Sequence, residues 1–560
     1  MKRALVLALL CAACAHSPSS QRPPAAQPVA TPARRPAAPP RVATPSDLSG
    51  PAFPPEDPPP SPDPFAALRQ SVDALLRAQG EALWAAWTRG ERVDLGSTYA
   101  GHERIFEAGT VREVRDAARR ATGDEARALA LLHGFLVGEH LERETRESAT
   151  RVARARASAT IAWGGQVIPS DRVPGLLVAE PDAARRATLH RLQAEALARW
   201  EPAASEHAAR LDAAARRLGH ESITALGAEL RGATREELAA FADHVLATTD
   251  AAYHDAMDSL ARAEVGRPLA EIRGSDVPRL FRSAQDPRLF PAARQIPDVR
   301  ALFSGLRLDL TSRPGAVLDL EARPRKDPRP LALPVAVPGD VRLSAVPGGG
   351  SADLRALLHE TALASYFSRI ESPRVEFRRL GNTTGETWAL LFEELAGDPA
   401  WLLLQTGDTE HHLVPVVRSA AARRLHGARE AAARLLLELR RPASAAEAPR
   451  VATGILERAF ARPVSPDEVA IALAERDPLL QSAVTLRAAV LAAQGESFLA
   501  AGAGETWWKD DRVGAFLGRA FAAGSRPDAA ALAASFGSAR LDASALAIRS
   551  RERIRWAEAH

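Results

Sequence analysis

The sequence predicts a mainly α-helical protein, a large multi-helix body carrying one small β-sheet, and three observations predict it. The 560 residues have a globular balance, 46% hydrophobic and 25% charged, which is enough apolar material for an extensive core. Ala, Leu and Arg abound while aromatics are only 5%, and these three residue types are strong helix formers. From Pro64 onward, apolar residues recur at the spacing that places them on one helix face.

Charge and cysteine content narrow the function classes. The formal net charge is +3, from 72 basic and 69 acidic residues. No basic stripe interleaved with aromatics accompanies it, so nucleic acid is not an expected partner. Both cysteines, Cys11 and Cys14, lie at the extreme N-terminus. Downstream chemistry therefore has no thiolate, and any metal site must draw on His, Asp and Glu.

Residues 1–14 read as an export signal with a lipidation site. Lys2 and Arg3 precede the apolar run Ala4-Leu5-Val6-Leu7-Ala8-Leu9-Leu10, which is too short to span a bilayer as a mature helix. Leu10-Cys11-Ala12-Ala13-Cys14 resembles a bacterial lipobox, which implies lipidation of Cys14. Cys11 stands where that pattern usually has Leu. The plainer alternative is a secretory signal cut near Ala15. Acyl chains would anchor the protein with about 0.8 kcal/mol per buried CH₂. Ala15, rather than Asp, follows Cys14, so the expected location is the outer membrane, facing periplasm or exterior. Residues 15–63 are rich in Pro and Ala and are expected to be a disordered linker.

Residues 64–560 are expected to form the body, with N-terminal helices over 64–300 and a site-bearing half over 301–560. Phe65, Leu68, Val72, Leu75 and Leu76 start the first helix, and Leu83, Trp84 and Trp87 continue it. Further helices are expected at 111–120, 124–160, 180–217, 235–264 and 297–306, with turn signals at Gly90, Gly165, Gly219 and Gly266. Short alternating runs at 306–310, 316–320, 331–335 and 341–344, bounded by Pro and Gly, predict a small twisted sheet, with Pro334 suited to its edge. Gly348-Gly349-Gly350 breaks the chain, and Ser351 or Asp353 can cap the next helix. Helices are then expected at 409–440, 449–461, 465–474, 478–501, 510–523, 527–535 and 542–557.

The candidate site lies within 352–398. An amphipathic helix carries His359-Glu360-Thr361-Ala362-Leu363, and a second, starting near Gly385, carries Glu386 and Glu393. Two His at i and i+4 would place both imidazoles on one face, where they grip one zinc ion while the intervening Glu acts as general base. Here the first His and the Glu are present, and Leu363 replaces the second His. Glu386 and Glu393 are seven residues apart, two helical turns, and so share a face.

The order of features resembles the thimet oligopeptidase and oligoendopeptidase F-like zinc metallopeptidases: long helices, a small sheet, an HExxH helix, then a Glu-bearing helix. That resemblance implies a metallopeptidase fold over 64–560. It implies His359 and Glu386 as metal ligands, Glu360 as a vestigial general base and Glu393 as a supporting carboxylate that orients His359. The strands around Leu318–Pro324 and Pro338–Leu343 would form a substrate-side wall. The family places a Tyr in late helices to stabilise the oxyanion, but the corresponding stretch Ser482–Ala488 has none, and the chain has only Tyr99, Tyr253 and Tyr366. Losing one such donor costs ~10²–10³ in rate.

These residues support an envelope lipoprotein with an incomplete metal site, binding zinc weakly or not at all, whose cleft holds a peptide or protein ligand without catalysis. One alternative is a residual peptidase with substitute ligands from Glu393, His411 or His412. Another is a purely structural helical lipoprotein in which His359 is a core residue. Adjacent His411 and His412 point to different helix faces, which favours a surface pair. Trp507-Trp508 reads as a packing anchor, and Arg151, Arg154 and Arg156 as a solvated face.

Overall fold

The computed structural model describes residues 48–49, 52–282, 288–442 and 444–560. The expected export signal, Cys14 and most of the expected linker lie outside these residues.

Helix α1 (Ala66–Arg89) buries Leu68, Val72, Leu75 and Leu83, the predicted apolar stripe, and ends at Gly90, whose φ of 66° permits the left-handed turn. Helices α2 (Ala108–Arg120) and α3 (Gly123–Ser158) join it around Val114, Leu132 and Leu136. A hairpin of β1 (Thr160–Trp163) and β2 (Gln166–Pro169) follows, closed by Gly164 and Gly165, both at positive φ. The helix expected over 180–217 is two, α4 (Ala183–Ala198) and α5 (Glu201–Arg217). The break falls at Arg199-Trp200 because Pro202 is tolerated in a first turn but not in a helix interior. Helix α6 (Arg235–Val265) starts with a reciprocal cap between Thr234 and Glu237.

After α7 (Ala292–Gly305) the chain departs from expectation. The alternating run Leu306-Arg307-Leu308-Asp309-Leu310 is not a strand. Its three leucines are buried, but Arg307 sits at φ 56°. Side chains satisfy the carbonyls of this segment: Arg369 donates to Arg307 and Asp309 at 3.3 and 3.1 Å, and Ser365 donates to Leu308 at 2.7 Å. The segment thus buries its leucines without a ladder.

The sheet comprises β3 (Ala316–Asp319), β4 (Leu331–Ala336) and β5 (Asp340–Ser344), in the order β3-β5-β4. Strand β5 runs parallel to β3 and antiparallel to β4. Pro334 therefore stands on an outer strand, where a missing N–H costs no central ladder bond. Side chains alternate along β4: Leu333 and Val335 pack on Leu83 and Trp84 of α1, while Ala332 joins the core beyond.

That core holds α8 (Ser351–Phe367) and α10 (Thr383–Glu393), while the short α9 (Val375–Arg379) between them packs Val375 into the cluster of α1 to α3. The N-cap of α8 is Gly350, at φ 86°, rather than Ser351, while the Asp353 carboxylate accepts from the Gly348 N–H at 2.6 Å. Trp388 of α10 is fully buried, its ring 5.6 Å from both Phe521 and Phe536. Each such side chain contributes about 1.5–3 kcal/mol by leaving water. A helix over Pro399–Thr406 was not expected, but the later helices follow their predicted stretches closely, including α11 (Glu410–Leu439), α12 (Gln481–Ala503), α13 (Asp511–Ala522) and α14 (Ser544–Ala559). Among the described residues no helix is long and apolar enough to cross a membrane.

The near end of the expected linker is packed rather than loose. Leu48 is buried against Gly502, and its carbonyl accepts from Arg519 at 2.6 Å. Glu56 accepts from Arg374 at 2.7 Å, and the Asp57 N–H donates to Asp124 at 2.8 Å. Arg374, Arg519 and Arg526 take up carbonyls that a proline-rich segment cannot pair internally. The composition alone did not reveal these partners.

Candidate functional site

The site is built by α8 and α10, packed antiparallel. Arg355, His359 and Leu363 follow one another at one-turn intervals along α8. They face Glu393, Glu386 and Gly385 of α10 in reverse order. Antiparallel packing thus brings together residues that the sequence separates.

His359 Nδ1 lies 3.0 Å from Glu393 Oε2, and its Nε2 lies 3.7 Å from Glu386 Oε2. Glu393 is fixed from the other side by Arg355, whose Nε and Nη2 donate to Oε1 at 3.0 and 2.6 Å. The Glu360 carboxylate turns the other way and accepts from the Ala332 N–H of β4 at 2.7 Å. One helix therefore reaches the second helix through His359 and the sheet edge through Glu360.

These groups titrate abnormally. Burial alone would lower His359, but its hydrogen bond to Glu393 and the charges of Glu386 and Glu360 push it up to about 10. Burial alone would raise Glu393, but its hydrogen bond to His359 and the Arg355 charge bring it down to about 2. Burial raises Glu386 and Glu360 above the usual carboxylate range. Water nevertheless reaches the site, since the His359 and Glu386 side chains keep 18% and 28% of their exposure. Partial exposure combined with a dominant burial effect describes a recess rather than an open surface or a dry core. A separate cavity of about 250 Å³ lies off the start of α8, lined by Phe290, Arg294, Gln295, Leu354 and Trp401, and His359 is not part of it.

The donor set does not fit a zinc ion. A catalytic zinc needs three protein ligands and one open position. His359 and Glu386 supply two, and the third place, one turn past His359, holds the aliphatic Leu363. Glu393 is already engaged by Arg355 and His359 Nδ1. His411 and His412 are exposed at the start of α11, with His412 bonded to Asp408 at 2.7 Å. Among the described residues no group of three or more His, Cys, Asp or Glu side chains is placed to hold a metal.

The tyrosines are occupied elsewhere. Tyr366 is buried with its hydroxyl 3.2 Å from Ser525, Tyr253 meets His426 at 3.0 Å, and Tyr99 packs edge-on against Phe106. In the stretch where an oxyanion donor was sought, Arg487 donates to the Arg231 carbonyl at 2.7 Å. Trp507 and Trp508 are buried packing residues just before α13. Arg151 is paired with Glu147 and Glu206, and Arg156 stacks on Trp200 at 4.4 Å.

Two site residues escaped the sequence reading. Arg355 was legible in principle, since it lies one turn before His359. Arg423 left no local signal: α11 brings it within electrostatic reach of Arg355 and Glu393. No protein-family model matches the chain, and no curated protein matches it.

Proposed function

We propose that this chain is an envelope lipoprotein that binds a peptide, or an extended protein segment, in the recess beside His359 without hydrolysing it, as a silent relative of the oligopeptidases. The observation that carries the reading is Leu363. It occupies the helical position where a second imidazole would have to donate, one turn past His359, on the helix face that meets Glu386 and Glu393. Without a third ligand there is no polarised water and no Lewis acid, so Glu360 has nothing to activate.

Access supports a ligand at this place: the His359 and Glu386 side chains keep 18% and 28% of their exposure, whereas the outer edge of β4 is closed, its Ala332 N–H bonded to Glu360 and its Pro334 without a donor.

Metal content and peptide binding test the proposal together. Protein purified without chelators is expected to carry no stoichiometric zinc and to bind extended peptides without releasing fragments by mass spectrometry. One tightly held zinc per chain, or cleavage abolished in Glu360→Gln, would overturn it. The anchor is tested separately: Cys14→Ser is expected to move the protein from the detergent phase to the aqueous phase.

A further inference from the structure

Two carboxylates of α3 stand beside buried polar atoms that have no partner. Glu139 and Glu142 are three residues apart and so lie on one helix face. The 3₁₀ turn Gly96–Tyr99 comes to the same place. Tyr99 packs edge-on against Phe106, with ring centres 5.0 Å apart. The Phe106 carbonyl accepts from His140 Nδ1 at 2.7 Å, and Arg143 lies 5.1 Å over the Phe106 ring. Tyr99 is thus held against the turn of α3 that carries the two glutamates, and its hydroxyl is in reach of both Glu139 and Gln79 of α1.

Glu139 and Gln79 are only 3% and 1% exposed. Among the described residues, neither side-chain atom of Gln79 has a hydrogen-bond partner, and Glu139 Oε2 has none. Nor does either glutamate form an ion pair among those residues, since Arg146 acts on both only from a distance. Buried polar atoms left unpaired call for something between them. A water would serve the Gln79 amide, but it would leave Glu139 beside a like charge. Burial, with the Glu142 charge added, pushes Glu139 up to about 8. A cation would meet the amide oxygen and compensate both carboxylates together.

All four groups offer oxygen: two carboxylates, an amide carbonyl and a phenol hydroxyl. Oxygen-only sets select hard cations. The four come from three separate elements, an irregular arrangement that calcium tolerates better than magnesium, which demands a near-ideal octahedron. Glu142 is exposed, which leaves room for waters to complete the shell.

We propose that Glu139, Glu142, Gln79 and Tyr99 form a calcium site that pins α1 and the 96–99 turn to α3. It draws on none of the residues of the His359 recess. With two carboxylates it is a weak site, and the expected Kd is ~10⁻⁴–10⁻³ M, as in extracellular calcium modules.

The test is calorimetric titration of calcium chloride into the full chain in detergent, after treatment with a chelator and its removal, with melting temperature read in parallel. One calcium per chain is expected, with a rise in melting temperature that equimolar magnesium does not produce. Glu139→Gln and Glu142→Gln are each expected to weaken calcium binding by ~10-fold or more, since affinity follows ligand charge. Neither is expected to melt lower than the natural protein in chelator, because each relieves a like-charge pair. Gln79→Met separates a ligand from a packing residue. It removes an unpaired buried amide at similar volume, so it is expected to keep full stability in chelator and to bind calcium ~10-fold more weakly, the worth of one polar contact. No calcium uptake by the natural protein overturns the proposal and leaves water as the occupant. Binding that persists undiminished when Glu139→Gln and Glu142→Gln are combined also overturns it. An equal response to magnesium overturns the assignment to calcium.

Discussion

Leu363 rests against Gly385: a Cβ built on that glycine would meet Leu363 Cδ2 at 3.5 Å and the Tyr366 ring at 3.2 Å. The leucine is thus a packed neighbour of the second helix, one residue before Glu386. Replacing it tests both the packing and the chemistry of the site. Leu363→His is expected to fold with a loss of about 1–3 kcal/mol in the absence of metal, from burying an imidazole in place of an alkyl group. It is also expected to bind one zinc per chain, measured by elemental analysis after gel filtration. Peptide cleavage is not expected to follow, since no tyrosine faces the site. A folded variant that takes up no zinc would show that the geometry of Glu386 or Glu393 is also unsuitable.

His359→Gln removes the cation between two carboxylates. Glu393 keeps Arg355, but Glu386 is left beside like charge in a recess. The expected loss is about 2 kcal/mol, below the 3–5 kcal/mol typical of a fully buried pair because water reaches this one. Urea unfolding of the variant and of Glu393→Gln measures it, and the double variant should lose less than the sum.

Acid stability is expected to depend on Glu496. Burial alone would raise its pKa, but Arg424, Arg553 and Arg549 bring it down to about 2. A carboxyl depressed in the folded state stabilises above its unfolded value, 4.5, and that stability is lost as pH falls from about 4.5 toward about 2. At ~1.4 kcal/mol per unit the full effect is about 3 kcal/mol. Denaturant midpoints between pH 3 and pH 6 should fall steeply in the natural protein and less in Glu496→Gln, which starts from a lower plateau.

Two glycines with nearly the same backbone angle separate strain from collision. Gly315 and Gly101 have φ of 84° and 83°. A Cβ on Gly315 would lie 1.8 Å from the Gly339 carbonyl oxygen, whereas Gly101 has nothing within 4 Å. Gly101→Ala is expected to cost about 1–2 kcal/mol from backbone strain alone. Gly315→Ala adds a backbone clash where β3 begins and is expected to cost at least about 1–3 kcal/mol more, read as a difference in melting temperature.

Much of the body was legible because helices write their period locally. The stripe Leu68, Val72, Leu75 and the long helices after residue 409 needed no tertiary information. The errors came where distant groups decide the structure. Leu306, Leu308 and Leu310 alternate like a strand, but Arg369 and Ser365, from a later helix and its end, took their carbonyls. The hairpin at Thr160–Pro169 was missed although Gly164-Gly165 between alternating apolar residues carries its own signal. In the site, His359, Glu386 and Glu393 were readable from spacing. Arg423 was not, because nothing local ties α11 to the start of α8.

Glu393 and its neighbour Glu394 face opposite ways. The first holds His359 and Arg355, and the second binds Arg553 of the last helix, which in turn bonds Glu496 at 3.1 Å. A single peptide bond therefore joins the histidine's anchor to the buried ion-pair network around Glu496. Shortening the chain before Arg553 would free Glu394 to shift, and the imidazole would lose its orientation although no atom near it had been changed.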